Sequence, residues 1–224
     1  MWILPTHKRP HKLLRFIRSM GEEDKKEFVL LMVWKDDPFR DDYAETMREA
    51  PKSWEMYICP ERLCGEKMNA AVNIFKGEKF YGFLADDIRI GTPGMLPLLR
   101  AAALRGKFAW PNDGVHEIRL STHPVAPGNF IRTLGFWAHP KFPHNGQDLI
   151  LYRVATALDI CEYRPDLRYI VRHPSLGDKE EMDETYRDAL AMNQQAANDM
   201  YSFEEKELQP LIQRVKEAYG KENG

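Results

Sequence analysis

Along residues 1–90 the apolar positions alternate between two periods. Trp2-Ile3-Leu4 is a short extended run closed by Pro5-Thr6. Beyond the polar turn His7-Lys8-Arg9-Pro10, Leu13, Leu14, Phe16, Ile17 and Met20 recur at helical spacing, with Arg15 and Arg18 facing outward. That spacing predicts a helix from about His11 to Met20. Phe28 to Trp34 is a continuous apolar run, as in a strand buried on both faces, and it ends in Asp36-Asp37-Pro38. Residues 39–50 read as a charge-rich surface helix and Trp54 to Ile58 as an alternating strand. Gly65 to Asn73 reads as a helix packed through Met68, Ala71, Val72 and Phe75, and Phe80 to Ala85 as a fourth strand. Strands and helices alternating over short links predict a parallel sheet flanked by helices, with right-handed crossovers.

Past Pro93 the pattern loosens. Met95 to Leu104 is an apolar helix, while Phe108 to Trp110 and Glu117 to Leu120 are short extended pieces around the turn signal Asn112-Asp113-Gly114. Ser121 to Asn145 is dense in Pro, His, Gly and aromatic residues and reads as a loop suited to a pocket wall. Asp148 opens a helix over Leu149 to Leu158, where an aspartate is also an ordinary cap. Leu167 to Val171 reads as a strand ending at Arg172-His173-Pro174. From about Asp183 the tail is helical, and Leu208, Leu211, Ile212, Val215 and Tyr219 form one stripe. Such a stripe packs on the domain or on a second subunit, making a homodimer through the C-terminal helices.

The 224 residues suit one large domain, or one with an appendage. At 43% hydrophobic and 11% aromatic the chain can fill a core. Its 32 basic residues against 34 acidic ones leave a net charge of -2, which gives no global footprint for nucleic acid. The longest apolar run is too short to span a bilayer, and Met1-Trp2-Ile3-Leu4 reads as a strand rather than a leader. Cys59, Cys64 and Cys161 are odd in number and lack a CxxC spacing. They read as buried free thiols in a reducing cytoplasm. Neither GxGxxG nor GxxxxGK[ST] occurs, which argues against a Rossmann dinucleotide site and a P-loop.

The chemistry concentrates in Phe80-Tyr81-Gly82-Phe83-Leu84-Ala85-Asp86-Asp87. A buried strand here ends in two adjacent carboxylates, at the sheet edge where open α/β folds bind ligands. Two neighbouring acids repel, and a hard divalent cation bridging to phosphate oxygens removes the conflict. The alternative is a solvated turn in which the two acids merely cap the next element.

Three separated pieces, Pro5-Thr6 after the first strand, Asp86-Asp87 after the fourth and Asp148 before a late helix, resemble a glycosyltransferase of the GT-A fold. The likeness is to family-2-like, nucleotide-sugar-dependent members and runs from about Trp2 to Tyr186. It implies an α/β fold with a central, mostly parallel mixed sheet flanked by helices. Residues 1–182 would form the catalytic domain, with a nucleotide-sugar half over 1–94 and an acceptor half over 95–182. A helical C-terminal extension would follow over 183–224. By resemblance Pro5, Thr6 and Arg9 sit beside the nucleotide, Asp36 or Asp37 on the base or ribose, and Lys67 and Asn69 line the nucleotide. Asp87 is the main ligand of Mn2+ or Mg2+, with Asp86 facing ribose or a water of the ion. Asp148 is the catalytic base and His173 an extra metal ligand. One departure is plain: the family's acids stand two apart, whereas here Ala85 precedes Asp86-Asp87.

The implied reaction transfers a sugar from a nucleotide sugar, a UDP-sugar by preference, to an acceptor hydroxyl. Inversion is expected because no covalent nucleophile stands out. The acceptor is left open among a glycan, a small molecule, a protein and a modified DNA base, and His123, His139 and His144 fall on its side. The rival readings are a nucleotidyltransferase of related fold and a sugar-nucleotide-binding protein without turnover.

Overall fold

In the computed structural model, residues 1–143, 146–171, 183–185, 187 and 199–223 are described. β1 (Trp2–Thr6), α1 (Pro10–Ser19), β2 (Val29–Trp34), α2 (Arg40–Thr46), β3 (Trp54–Cys59), α3 (Cys64–Ile74) and β4 (Phe80–Phe83) alternate as the apolar pattern requires. β5 (Ile88–Ile90), α4 (Met95–Leu104), β6 (Phe108–Asn112), β7 (Val125–Pro127), α5 (Gly128–Leu134), α6 (Gln147–Ala157) and β8 (Cys161–Val171) follow, and a C-terminal helix covers Leu208–Asn223.

The strands form one mixed sheet in the order β3-β2-β1-β4-β7-β6-β8-β5. β1 pairs parallel with β2 and β4, and β2 pairs parallel with β3. β7 runs antiparallel to both β4 and β6, β6 pairs parallel with β8, and β5 closes the order antiparallel to β8. Because β1, β2 and β4 are parallel, Thr6, Trp34 and Phe83 end on one edge of the sheet.

Alternate residues of the central strands feed two cores. Ile3, Leu30 and Met32 face a core shared with α3, α5, α6 and the C-terminal helix. Trp2, Leu4, Val29, Leu31 and Val33 face one shared with α1 and α4. Burial on both faces explains why β1 and β2 lack polar alternation. Gly82 sits opposite Trp2 in register, and a side chain there would collide with the indole.

Three sequence expectations change. Glu117–Arg119 is a 3-10 turn rather than an extended piece, because backbone N–H groups from Val115 to Glu117 converge on the Asp113 carboxylate. Ser121 to Asn145 is not all loop: it contains β7 and α5, whose start requires Gly128 because Glu78 O lies where a Cβ would be. Residues 39–50 do hold a helix, α2, but Tyr43 in it is fully buried.

The C-terminal stripe packs on the domain itself. Leu208, Leu211 and Val215 are buried in the core that also holds Phe130 and Leu151, and Tyr219 meets Phe130 edge to face. The apolar face expected to build a homodimer is covered within the chain. No helix among the described residues is long and apolar enough to cross a membrane.

Candidate active site

The carboxyl edge of the sheet carries a hydrogen-bond chain with one consistent direction. Arg9 N–H donates to the Tyr43 hydroxyl at 2.7 Å. The Tyr43 and Thr6 hydroxyls lie 2.9 Å apart, and the Thr6 hydroxyl donates to Asp86 Oδ2 at 2.6 Å. Since Thr6 has one proton and gives it to Asp86, Tyr43 must donate to Thr6. The Arg9 guanidinium lies 3.4 Å from Asp86 Oδ1. Both oxygens of Asp86 are thus occupied by donors. Burial pushes the Asp86 carboxyl above its ordinary value and Asp87 adds to this, while Arg9 and Thr6 oppose it. Burial alone would lower the Arg9 guanidinium, but Asp86, Asp183 and Asp87 hold it above the ordinary range.

The other residues expected around a nucleotide are distributed unevenly. Pro5 is buried in β1, and Lys67, fully buried on α3, donates its ammonium to Thr6 O beneath the same edge. Burial lowers the Lys67 ammonium, against the pull of Cys59, Cys64, Asp37 and Asp86. Of the acids after β2, Asp37 is the one built in: it accepts from Lys8 N, Phe39 N and His7 Nδ1 at 2.9, 3.0 and 3.1 Å. Asp36 is exposed. The Arg62 guanidinium stands 5.6 Å over the Trp34 indole, and His7 meets the same indole edge-on. Asn69 is directed elsewhere. Its amide accepts from Trp137 N and Ala138 N and donates to Ala138 O, which pins the 137–138 backbone to α3.

Asp87 differs from Asp86 in exposure, with 15% of its side chain accessible and Arg9 at 4.0 Å. Among the described residues no group of three or more His, Cys, Asp or Glu forms a site able to hold a metal by protein ligands alone. His173 lies outside the described residues. The donor set present, one accessible carboxylate beside a fully hydrogen-bonded one, suits a Mg2+-like ion whose remaining ligands are substrate phosphates and water. The cysteines are free, and burial pushes the Cys59 and Cys64 thiols up to about 11.

A second polar group includes Asp148. Asp148 is the second residue of α6, whose N-cap is the left-handed Gly146, so the aspartate is not the cap. Its carboxylate accepts from Leu149 N at 2.9 Å and its main-chain oxygen from Ser121 Oγ at 3.2 Å. Burial pushes the Asp148 carboxyl above its ordinary value, opposed by the Leu149 amide and by His116. His116 is held by Asp113, which also accepts from three backbone amides and Thr122. Burial opposes the charge on Asp113, but these donors hold its carboxyl far below the ordinary range. His123, with a left-handed φ of 50°, stacks on Phe83 at 5.3 Å and meets Tyr169 edge-on. Burial lowers the His123 imidazole, while Asp87 and Asp113 pull it up. A non-glycine residue held there reports strain of the kind concentrated at binding and catalytic sites. His139 is away from this group, packed on Phe136, Phe142 and Phe203, and His144 lies outside the described residues.

Tyr43, Lys12, Asp113 and His116 were not singled out by sequence. Lys12 sits on an amphipathic helix whose apolar face is complete without it, and Tyr43 is the one buried residue of a helix otherwise rich in charge. Asp113 was visible only as a turn residue.

Solved structures of glycosyltransferases share this fold. The S. aureus TarS structure is 12% identical at a TM-score of 0.57, over 77% of this chain and 36% of that one. The mannosyltransferase PcManGT from Pyrobaculum calidifontis, in complex with GDP-Man and Mn2+, is 12% identical at 0.57, over 75% and 55%. Glucosyl-3-phosphoglycerate synthase from Mycobacterium tuberculosis, in complex with Mg2+ and UDP, is 14% identical at 0.53, over 77% and 70%. The chain therefore spans about a third of TarS and just over half of PcManGT. No family model and no curated protein matches the sequence.

Proposed function

We propose that this chain is a metal-dependent glycosyltransferase that moves a sugar from a nucleotide diphosphate sugar to an acceptor hydroxyl with inversion. The observation that carries the reading is the paired acid at the end of β4. Asp86 is saturated by Thr6 and Arg9, and Asp87 beside it keeps an accessible carboxylate. Asp87 would hold Mn2+ or Mg2+, and the ion would supply charge stabilisation to the departing diphosphate. Pro5, Thr6, Arg9, Asp37 and Lys67 would line the nucleotide, with Asp36 at its solvent side. Asp148 would take the proton of the acceptor hydroxyl. A UDP-sugar is the favoured donor by resemblance, and the neighbours solved with UDP and GDP-Man support a nucleotide sugar in general.

Isothermal calorimetry with UDP, with and without Mn2+, tests the reading. Wild type is expected to bind UDP at least tenfold more tightly with Mn2+, and Asp87→Asn to lose that gain with its melting temperature unchanged. Metal-independent UDP binding in both proteins would sink the metal site. UDP binding without slow hydrolysis of any UDP- or GDP-sugar would leave a binding protein.

A further inference from the structure

The turn after β1 and the first turn of α1 carry three cations, Lys8, Arg9 and Lys12, of which two are buried. Arg9 is 7% exposed and Lys12 only 2%. Both face the same carboxylate. Arg9 Nη2 donates to Asp183 Oδ1 at 2.9 Å, and Asp183 Oδ2 forms ion-pair contacts with Arg9 Nε at 2.9 Å and Lys12 Nζ at 2.8 Å. The neighbours of Asp183 reinforce the contact: Glu184 accepts from Lys8 Nζ at 2.6 Å, and Thr185 Oγ1 donates to His7 O at 3.1 Å. The same Arg9 guanidinium turns its other nitrogen to Asp86 and Asp87. Asp183 therefore sits one guanidinium away from the acid that would hold a metal.

We propose that Arg9 and Lys12 form an anion subsite for the diphosphate of the donor, and that Asp183 occupies it when no donor is bound. The inference rests on the nucleotide-sugar reading and adds to it Lys12 as a binding residue and the 183–185 segment as an internal competitor. A buried cation needs a partner, so Arg9 and Lys12 cannot release Asp183 into nothing. A diphosphate is the replacement that the chemistry fits, because it offers the guanidinium fork two oxygens and carries more charge than one carboxylate. The charge balance points the same way. With Asp183 and Glu184 in place, Lys8, Arg9, Lys12 and Lys67 face five acids, Asp37, Asp86 and Asp87 being the others. Among the described residues, release of the segment removes two of these negative charges, Asp183 and Glu184, from the cations they face.

The test is calorimetry of inorganic pyrophosphate and of UDP with Mn2+ on wild type, Asp183→Asn and Lys12→Gln. Asp183 is 28% accessible but pairs two buried cations, so Asp183→Asn should lower the melting temperature without ligand, and pyrophosphate should restore it. Relief of a seated competitor raises apparent affinity by the inverse of the open fraction, so Asp183→Asn is expected to bind both ligands about tenfold more tightly. Lys12→Gln is expected to bind both more weakly. If Lys12→Gln fails to fold, tryptic cleavage after Arg187 in wild type replaces it, and pyrophosphate should accelerate that cleavage by releasing the segment. Unchanged or weaker binding by Asp183→Asn overturns the inference, and wild-type UDP binding alongside it leaves the nucleotide reading intact. Pyrophosphate tightening with no UDP binding in any protein upholds the anion subsite and sinks the nucleotide reading instead.

Discussion

Thr6 and Asp86, 80 residues apart, are joined by a 2.6 Å hydrogen bond that ties the end of β1 to the acids after β4. The bond exists because β1 and β4 are parallel neighbours, so both strands deliver their last residues to one edge. It also fixes the direction of the chain behind it, from Arg9 N through Tyr43 to Thr6. Asp86 is thereby held as an acceptor with both oxygens engaged, and Asp87 is the more accessible acid of the pair. This arrangement gives the adjacent pair separate roles that the residue types alone do not distinguish.

The chain of hydroxyls should behave as one unit. Thr6→Val removes the donor to Asp86, and Tyr43→Phe removes both the donor to Thr6 and the acceptor of Arg9 N. Each leaves buried polar groups unpaired, a loss of about 1–3 kcal/mol. Because the two variants break the same chain, their costs should fall short of additive by about 0.5–3 kcal/mol in denaturant unfolding of the double mutant. Additive losses would mean that Tyr43 and Thr6 act separately and that Asp86 is positioned by Arg9 alone.

A second prediction concerns Asp113. Its carboxylate accepts from Val115, His116 and Glu117 amides, the His116 ring and the Thr122 hydroxyl, and it titrates well below an ordinary aspartate. A carboxyl depressed in the folded state contributes stability that is present above its unfolded pKa, about 3.9, and is lost as pH falls below it. Asp113→Asn keeps one acceptor and turns the other into a donor facing Thr122 and His116. It should cost about 1–3 kcal/mol at pH 7, and the gap to wild type should narrow steadily below pH 4. Melting curves at pH 7 and pH 3 check this; a gap of equal size at both would assign the effect to packing rather than charge.

Residues 1–90 were readable because β1 and β2 are apolar on both faces, β3 alternates, and α1 and α3 are apolar on one face, so period separates most of them. The acids after β4 were readable for a related reason: two carboxylates directly after a buried strand leave room only for a site or a turn. Past Pro93 the elements are shorter. β7 has three residues and begins inside a segment crowded with Pro, His and Gly, and α5 starts at a glycine required by the Glu78 carbonyl, so neither shows a period. Asp36 and Asp37 are equivalent as letters, and only the left-handed turn at Lys8 decides that Asp37 is the one gripped. Asn69 looked like a nucleotide contact from its helix, but its partners at Trp137 and Ala138 lie in a loop whose path sequence does not reveal. The grip of Arg9 and Lys12 on Asp183 spans more than 170 residues and has no local signal at all.

The last prediction separates catalysis from structure at Asp148. Burial holds this carboxyl above the ordinary aspartate value of 3.8. A group whose charged form is disfavoured by the fold destabilises it at neutral pH, so neutralising it should not weaken the protein. Asp148→Asn keeps an oxygen for the Leu149 amide, and because the helix is capped at Gly146 no cap is lost. Its melting temperature at pH 7 should equal or exceed that of wild type. Turnover should behave in the opposite sense. A base works only when ionised, so wild-type kcat should fall as pH drops through a midpoint above 3.8, and Asp148→Asn should lower kcat about 10²–10⁴-fold with UDP affinity unchanged. The residual activity of the variant should lose that pH step. If the variant keeps both the wild-type rate and the wild-type pH profile, Asp148 is a half-buried helix residue without a part in the reaction. The proton would then have to go to His116 or His123, which among the described residues both interact with Asp113.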